Sequence, residues 1–310
     1  FLKIRPRSSA GIGTVSFALD AKTAPGTEGK KGQKIKFSLK QVPPGISPAG
    51  CTDVPGRTVV YEPFLLGETE VTIGMWEAVM AWPGISEYGF TGAATSEGGA
   101  NLPVANVSWR DAVVYCNALS AILGFHPVYY LDSEFLRPVK SVRELADGLD
   151  AVLAKPGADG FRLPLSMEWE LAARYIDGMT WTPGGHPSGS ETPYYEETRA
   201  QQYAVFRADA PAPVKNRASN ALGIYDMSGN VWEWCFNEFV KNEVNTPGYA
   251  VYDGESAGKE SDASGAERKR VVRGGGWIGT EYRLQIGGEF GSLPDLVQIQ
   301  QGFRIAKSGW

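Results

Sequence analysis

Asn220 to Cys235 reads NALGIYDMSGNVWEWC, and the interpretation of this run decides that of the whole chain. It mixes Gly, Asn, Asp, Glu and Trp in a pattern that fits neither the 3.6-residue helical period nor the alternation of a strand. Gly223 and Gly229 allow backbone angles that other residues resist, and Asp226, Ser228 and Asn230 are expected to bond their own backbone and hold a turn. Trp232 and Trp234 each bring a large apolar body with one polar handle, so the loop is expected to pack inward over a core.

Working outward, composition narrows the class. At 310 residues the chain can build one large or two ordinary domains. With 38 Gly and 20 Pro, it should carry much irregular backbone. A net charge of -5 gives no basic footprint for nucleic acid, and no apolar run is long enough to span a bilayer. Cys51, Cys116 and Cys235 have no zinc-like spacing and read first as buried small apolar residues.

On the N-terminal side, TVSFAL at 14–19 and KIKFSL at 34–39 alternate as half-buried strands do, with a hydrophilic loop between them. Residues 1–60 are read as a strand and loop extension packed on a main domain of residues 61–310. Thr72 is the expected N-cap of a helix whose Trp76, Val79 and Met80 face the core. Ser108 and Asp111 have the spacing of a capping box, and Ala112, Tyr115, Cys116 and Leu119 form the stripe of the helix that follows. Ser166 is the expected cap of a further helix, on which Glu170 and Arg174 can pair at i,i+4. The polar stretch 244–270 reads as an exposed excursion, and RVVRGGGW at 270–277 as a strand entering a glycine turn.

GETEVT at 67–72, NLPVANVSWRDAVVYCN at 101–117, GFRLPLSMEWELAAR at 160–174, the opening run, RVVRGGGW and GFRIA at 302–306 stand in an order that resembles the formylglycine-generating enzymes, or sulfatase-modifying factors. The resemblance implies an α+β variant of the C-type lectin-like fold. It also implies catalysis by a pair of copper-binding cysteines soon after the glycine turn. Here Gly279 and Leu284 stand at those positions, and neither binds a metal. A related branch holds iron with several His, whereas this chain has only His126 and His186. No catalytic residue or catalytic cofactor is therefore expected, although an oxygen-dependent formylglycine-generating oxidase remains the alternative. The resemblance further implies a structural calcium on Asp226, Gly229, Val231 and Glu233, a set of carboxylates and carbonyls suited to that ion.

The chain departs most from the family between the glycine turn and GFRIA. That tail, IGTEYRLQIGGEFGSLPDLVQIQQ, is similar to the segment that varies in the variable proteins of diversity-generating retroelements. The similarity implies a ligand-binding variable region within 271–310. Expected contact positions are Ile278, Gly279, Glu281, Tyr282, Glu289 and Phe290, then Leu293, Leu296, Gln298 and Ile299. Gly274, Gly275, Trp277, Phe303 and Arg304 are assigned to the frame. On this division, loss of Trp232 or Trp277 unfolds the domain, whereas Tyr282→Ala or Phe290→Ala changes ligand choice at nearly constant melting temperature. The expected partner is a protein or surface ligand, and the chain is expected to be monomeric. It begins at Phe1 without an initiating Met. A signal segment removed upstream is expected, with display at the cell surface as a lipoprotein.

Overall fold

The computed structural model describes residues 13–20, 34–51, 57–92, 94–95, 98–239 and 268–308. The loop expected at 21–33 and nearly all of the excursion expected at 244–270 lie outside these residues.

Two sheets organise the chain. The first runs β1 (Thr14–Asp20), β2 (Lys34–Val42), β3 (Phe64–Gly67), β9 (Ala306–Ser308) and β4 (Phe161–Arg162). The second runs β7 (Phe290–Ser292), β6 (Arg270–Arg273), β5 (Trp232–Glu238) and β8 (Gln301–Gly302). Residues 14–20 and 34–42 are thus hydrogen-bonded into the main sheet, Leu39 opposite Gly67 and Val42 opposite Phe64. The last strand sits between β3 and β4, so GFRIA passes from the second sheet into the first. The result is the expected mixture of short helices, sheets and long loops.

Helix α1 (Ile73–Met80) starts at Thr72, whose hydroxyl accepts from the Met75 amide at 3.2 Å. Trp76 and Val79 are buried as expected, while Met80 is half-buried against the core. Helix α2 (Trp109–Ile122) has the expected capping box. The Asp111 carboxylate accepts from the Ser108 amide at 3.0 Å, and the Ser108 hydroxyl accepts from the Asp111 amide at 3.0 Å. Buried on nearly every face, α2 forms the centre of the main core.

Helix α3 (Ser166–Arg174) begins one residue earlier than expected, with Leu165 as N-cap. Glu168 reaches back to the Leu165 amide at 2.8 Å, which frees the Ser166 hydroxyl for a buried charge network. That hydroxyl accepts from Arg273 at 2.6 Å and donates to Glu289 at 2.9 Å. The expected Glu170–Arg174 pair is present at 3.1 Å, and Glu170 also faces Arg273 at 3.2 Å. Charges this deep persist only when each is answered, and here carboxylates and guanidinium groups interleave.

Candidate functional site

The Asn220–Cys235 loop is a hub: Asn220 accepts from the Leu222 and Ile224 amides within it at 3.0 and 3.2 Å, while other polar residues reach outward. Asp226 (φ 58) accepts the Lys215 amide at 2.8 Å. Ser228 donates to the Leu284 carbonyl at 3.0 Å, and Asn230 (φ 60) donates to Glu70 at 2.8 Å. The expectation of local turn bonds at these residues is therefore corrected, because each side chain reaches a segment distant in sequence. Asx residues tolerate this left-handed backbone. Gly229 (φ +79) is needed for a second reason, since a Cβ there would lie 2.2 Å from the Val205 carbonyl oxygen.

Strand β5 leaves this loop and separates two environments. Glu233 is fully buried, and its carboxylate accepts from Arg304 at 2.5 Å on both oxygens and from the Trp169 indole at 2.7 Å. Arg304 also donates to the Gly67 carbonyl at 2.9 Å and the Tyr225 carbonyl at 3.0 Å. Glu70 and Asp226 complete the cluster. Burial, reinforced by Asp226 and Glu233, holds Glu70 well above the usual carboxylate range. Burial also pushes Asp226 up to about 6, despite the opposing Lys215 amide and Arg304. Glu70, Asp226 and Glu233 thus outnumber the one guanidinium among them. A calcium ion expected on Asp226, Gly229, Val231 and Glu233 would meet a Glu233 carboxylate whose oxygens already accept from Arg304 and Trp169. No group of three or more His, Cys, Asp or Glu side chains able to hold a metal occurs among the described residues.

On the opposite side of β5, Trp232 lines a groove of about 340 Å³ between the sheet and the tail. Five of the expected contact residues, Ile278, Gly279, Phe290, Leu296 and Gln298, line it. Ile278 and Ile299 are 47% and 55% exposed, so apolar surface continues onto the rim. Ile299 itself stands outside the lining, with its carbonyl accepting the Trp277 indole N–H at 3.5 Å. Arg283 and Gln300 also line the groove and went unforeseen. Arg283 has a sequence signal, a lone cation within the tail, whereas Gln300 has none. Gly275 (φ +84) brings the glycine turn so close to Arg283 that a Cβ would lie 2.7 Å from its carbonyl oxygen.

The turn 281–284 sends its side chains in different directions. Glu281 pairs with Arg207 at 2.6 Å, and Tyr282 packs edge-on against Tyr194 with centroids 5.6 Å apart. Leu284 is sealed against Ala200, Ala204 and Phe206. Leu293 is half-buried, and its carbonyl accepts from the Leu296 amide at 3.1 Å. Glu281, Tyr282 and Leu293 are therefore beside the groove and do not line it.

Several expectations are corrected by burial. Glu289 is 7% exposed and is bound to Ser166 and Arg273, so it belongs to the frame. Phe290 is 6% exposed and forms the groove floor from within the core, packed edge-on against Trp232 at 4.7 Å. Trp232 and Trp277 are only half-buried, and the sealed indoles are Trp109, Trp169 and Trp234. Truncating Trp232 or Trp277 therefore removes a wall at the surface, whereas truncating Phe290 opens the core.

The chemistry expected of an oxidase finds no thiol here. Gly279 lies at the groove and Leu284 in the sealed cluster. Cys51, Cys116 and Cys235 are buried and form no disulfide. Burial pushes the Cys116 thiol far up, away from the thiolate form that nucleophiles and copper ligands require. His126 pairs with Asp159 at 3.1 Å, and His186 lies by the Ser190 carbonyl at 3.3 Å.

Fold and groove together define a lectin-like scaffold with a shaped concave surface. Residues 30–309 match the sulfatase-modifying factor enzyme 1-like domain, and the chain belongs to that family. It is 31% identical over 267 residues to chaperone protein LppX of Paenibacillus barcinonensis, covering 81% of this chain and 82% of that one. It is 24% identical over 270 residues to inactive C-alpha-formylglycine-generating enzyme 2 of Mus musculus, covering 82% of this chain and 66% of that one. Other relatives are matched over less of their length. The chain spans 46% of the Streptomyces coelicolor formylglycine-generating enzyme, at 29% identity over 47% of its own length. It spans 21% of the Chlamydia caviae serine/threonine-protein kinase pkn1, at 34% identity over 48% of its own length. Among solved structures, Treponema denticola variable protein 1 superposes with a TM-score of 0.64 at 25% identity, covering 95% of this chain and 99% of that one. The fold is the C-type lectin-like fold of the formylglycine-generating-enzyme type, and the family contains both enzymes and inactive members.

Proposed function

We propose that this chain is a non-catalytic recognition protein whose tail presents a binding groove on a fixed scaffold. The observation that carries the reading is the groove itself. Ile278, Gly279, Leu296 and Gln298 come together there over Trp232 and Phe290, with no thiol or imidazole in the lining. Rigid elements carrying changeable side chains are the usual construction of such sites. Likeness to a variable protein and to an inactive relative supports this function over that of an oxidase. The finer reading is a monomer displayed outside the cell as a lipoprotein, its tail diversified by a retroelement. No helix among the described residues is long and apolar enough to cross a membrane. A calcium ion held by Asp226, Glu233 and the Gly229 and Val231 carbonyls would brace the hub and take no part in binding.

Two measurements test the proposal. Copper-loaded protein incubated with a cysteine-containing sulfatase peptide should yield no aldehyde, and any formylglycine formed would overturn the reading. Sequencing the same locus in sibling isolates should find changes concentrated at the groove positions and sparing Leu284, Ile286 and Glu289. Even scatter across the chain would remove the case for a variable site.

A further inference from the structure

Apart from the groove, one end of a short β-ribbon holds apolar side chains out into solvent. Tyr130 of the strand Tyr129–Tyr130 stands opposite Leu153 of Leu153–Ala154 on one side and bridges to Pro138 on the other. Antiparallel pairing brings the loop 131–137 and the segment 148–152 to the same end of this ribbon. Leu136 in the loop is 79% exposed, Leu149 in the segment 81%, and Leu153 on the ribbon 45%. Of the large apolar side chains among the described residues, only Met179 protrudes further. Phe135 (φ 55), Leu149 (φ 52) and Asp150 (φ 57) all have left-handed backbone, a region that bulky side chains resist. The scaffold holds them there. Asp132 accepts from the Leu136 and Arg137 amides at 3.0 and 2.7 Å, and Asp150 accepts from the Arg110 guanidinium at 2.7 and 2.9 Å. Strained backbone persists only where its surroundings over-determine it, and it concentrates at functional segments.

We propose that this end of the ribbon docks on a phospholipid surface, with Leu136 and Leu149 entering the boundary between headgroups and acyl chains. Side chains exposed to this degree stand on convex tips, and a fluid interface receives such tips without a complementary pocket. The charges around them suit headgroup phosphates. Lys155 lays its ammonium over the Tyr130 and Phe135 rings, 5.5 and 5.9 Å from their centroids, and Arg137 and Arg143 are exposed nearby in the chain. Long basic side chains of this kind keep their stems on apolar surface and their heads at the phosphates. Glu134 and Asp147 are exposed in the same two stretches, so the electrostatic share is modest and apolar insertion leads. This surface shares no residue with the groove, and the recognition reading stands or falls without it.

The test is co-sedimentation of the full chain with vesicles of phosphatidylcholine, alone or mixed with phosphatidylglycerol. The chain should sediment with both and somewhat more with the mixture, and added salt should remove only the excess. Leu136→Ser and Leu149→Gly should each weaken partitioning about tenfold on either vesicle, since each takes one apolar body out of the interface. Glycine suits the backbone at 149, so Leu149→Gly should melt no lower than the parent, and its loss of binding then reports the side chain and not the fold. Lys155→Gln should abolish the preference for the mixed vesicles. Met179→Ser, which removes the most exposed large apolar side chain outside this surface, should change nothing. Failure to sediment with either vesicle, binding unaltered by both Leu variants, or an equal loss with Met179→Ser overturns the lipid assignment. So does light scattering that finds the parent a dimer and the Leu variants monomers, because the surface would then meet a second copy of the chain.

Discussion

Trp232 and Glu233 are neighbours on one strand and belong to opposite regimes. Alternation along β5 sends Glu233 into a sealed cluster where both carboxylate oxygens face Arg304, while Trp232 stands half-buried on a groove. Behind the strand, buried polar side chains of the hub are answered by partners far away in sequence: Asn230 by Glu70, Glu233 by Arg304 and Trp169. In front of it, Ile278 and Ile299 are held by their backbone and are largely open to solvent. A single pleat thus divides what the fold needs from the groove proposed to meet a ligand, an arrangement in which a surface can change without costing stability.

Replacing Arg304 by Met should produce the largest effect. It strips the charge partner from a fully buried Glu233 and leaves the Gly67 and Tyr225 carbonyls without their donor. An uncompensated buried charge costs about 3–5 kcal/mol, so urea denaturation should show a loss of that order, or no folded state at all. A loss below about 1 kcal/mol would mean that the hub is not the fixed side of the comparison. Phe290→Ala should come next. The ring is core on one face and groove floor on the other, and its removal should cost about 3 kcal/mol while also abolishing ligand binding in the groove. Unchanged stability with altered binding would return Phe290 to the set of exchangeable contacts.

The hub should also respond to pH and calcium, and the groove to neither. Asp226 is raised from 3.8 to about 6 by burial, and Glu70 moves in the same direction. Between those values the folded chain keeps a proton that the unfolded chain has lost, so stability falls as pH rises through that window and levels off above it. For Asp226 the loss is on the order of 2–3 kcal/mol. A calcium ion would stand in for the proton, so thermal melts at pH 7 should rise with millimolar calcium and fall with a chelator. Coincident melts in calcium and chelator would dismiss the ion, and a flat pH profile would dismiss the surplus charge.

What the sequence made legible follows the distance over which its signals act. The capping box of Ser108 and Asp111 and the pair Glu170–Arg174 depend on spacings of three and four residues, and both are present. Gly and Asx residues marked Asn220–Cys235 as a shaped loop, but residue types alone could not say that Asn230 would reach Glu70. Glu289 shows the limit most clearly. A carboxylate in a polar, glycine-rich tail reads as exposed until Arg273, Glu170 and Ser166 are known to wait beneath it. Similarly, Trp232 and Trp234 share a face of β5, and only the third dimension shows that the second reaches the Val107 carbonyl while the first lines a groove.

The smallest effect is the most discriminating. Ile278→Ala and Leu296→Ala remove groove-lining side chains that are exposed or half-exposed, from a tail whose course is set by other contacts. The Gln298 carbonyl accepts from the Asn106 amide at 3.0 Å, the Pro294 carbonyl from the Arg110 amide at 3.3 Å, and the Gly279 carbonyl from the Arg207 amide at 3.0 Å. None of these bonds involves either substituted side chain, so each variant should unfold within about 0.5 kcal/mol of the parent. Both should still weaken ligand binding in the proposed groove, because each takes away an apolar wall. If either substitution costs as much as Phe290→Ala, the front of β5 is core like the back, and the two regimes that the strand separates are one.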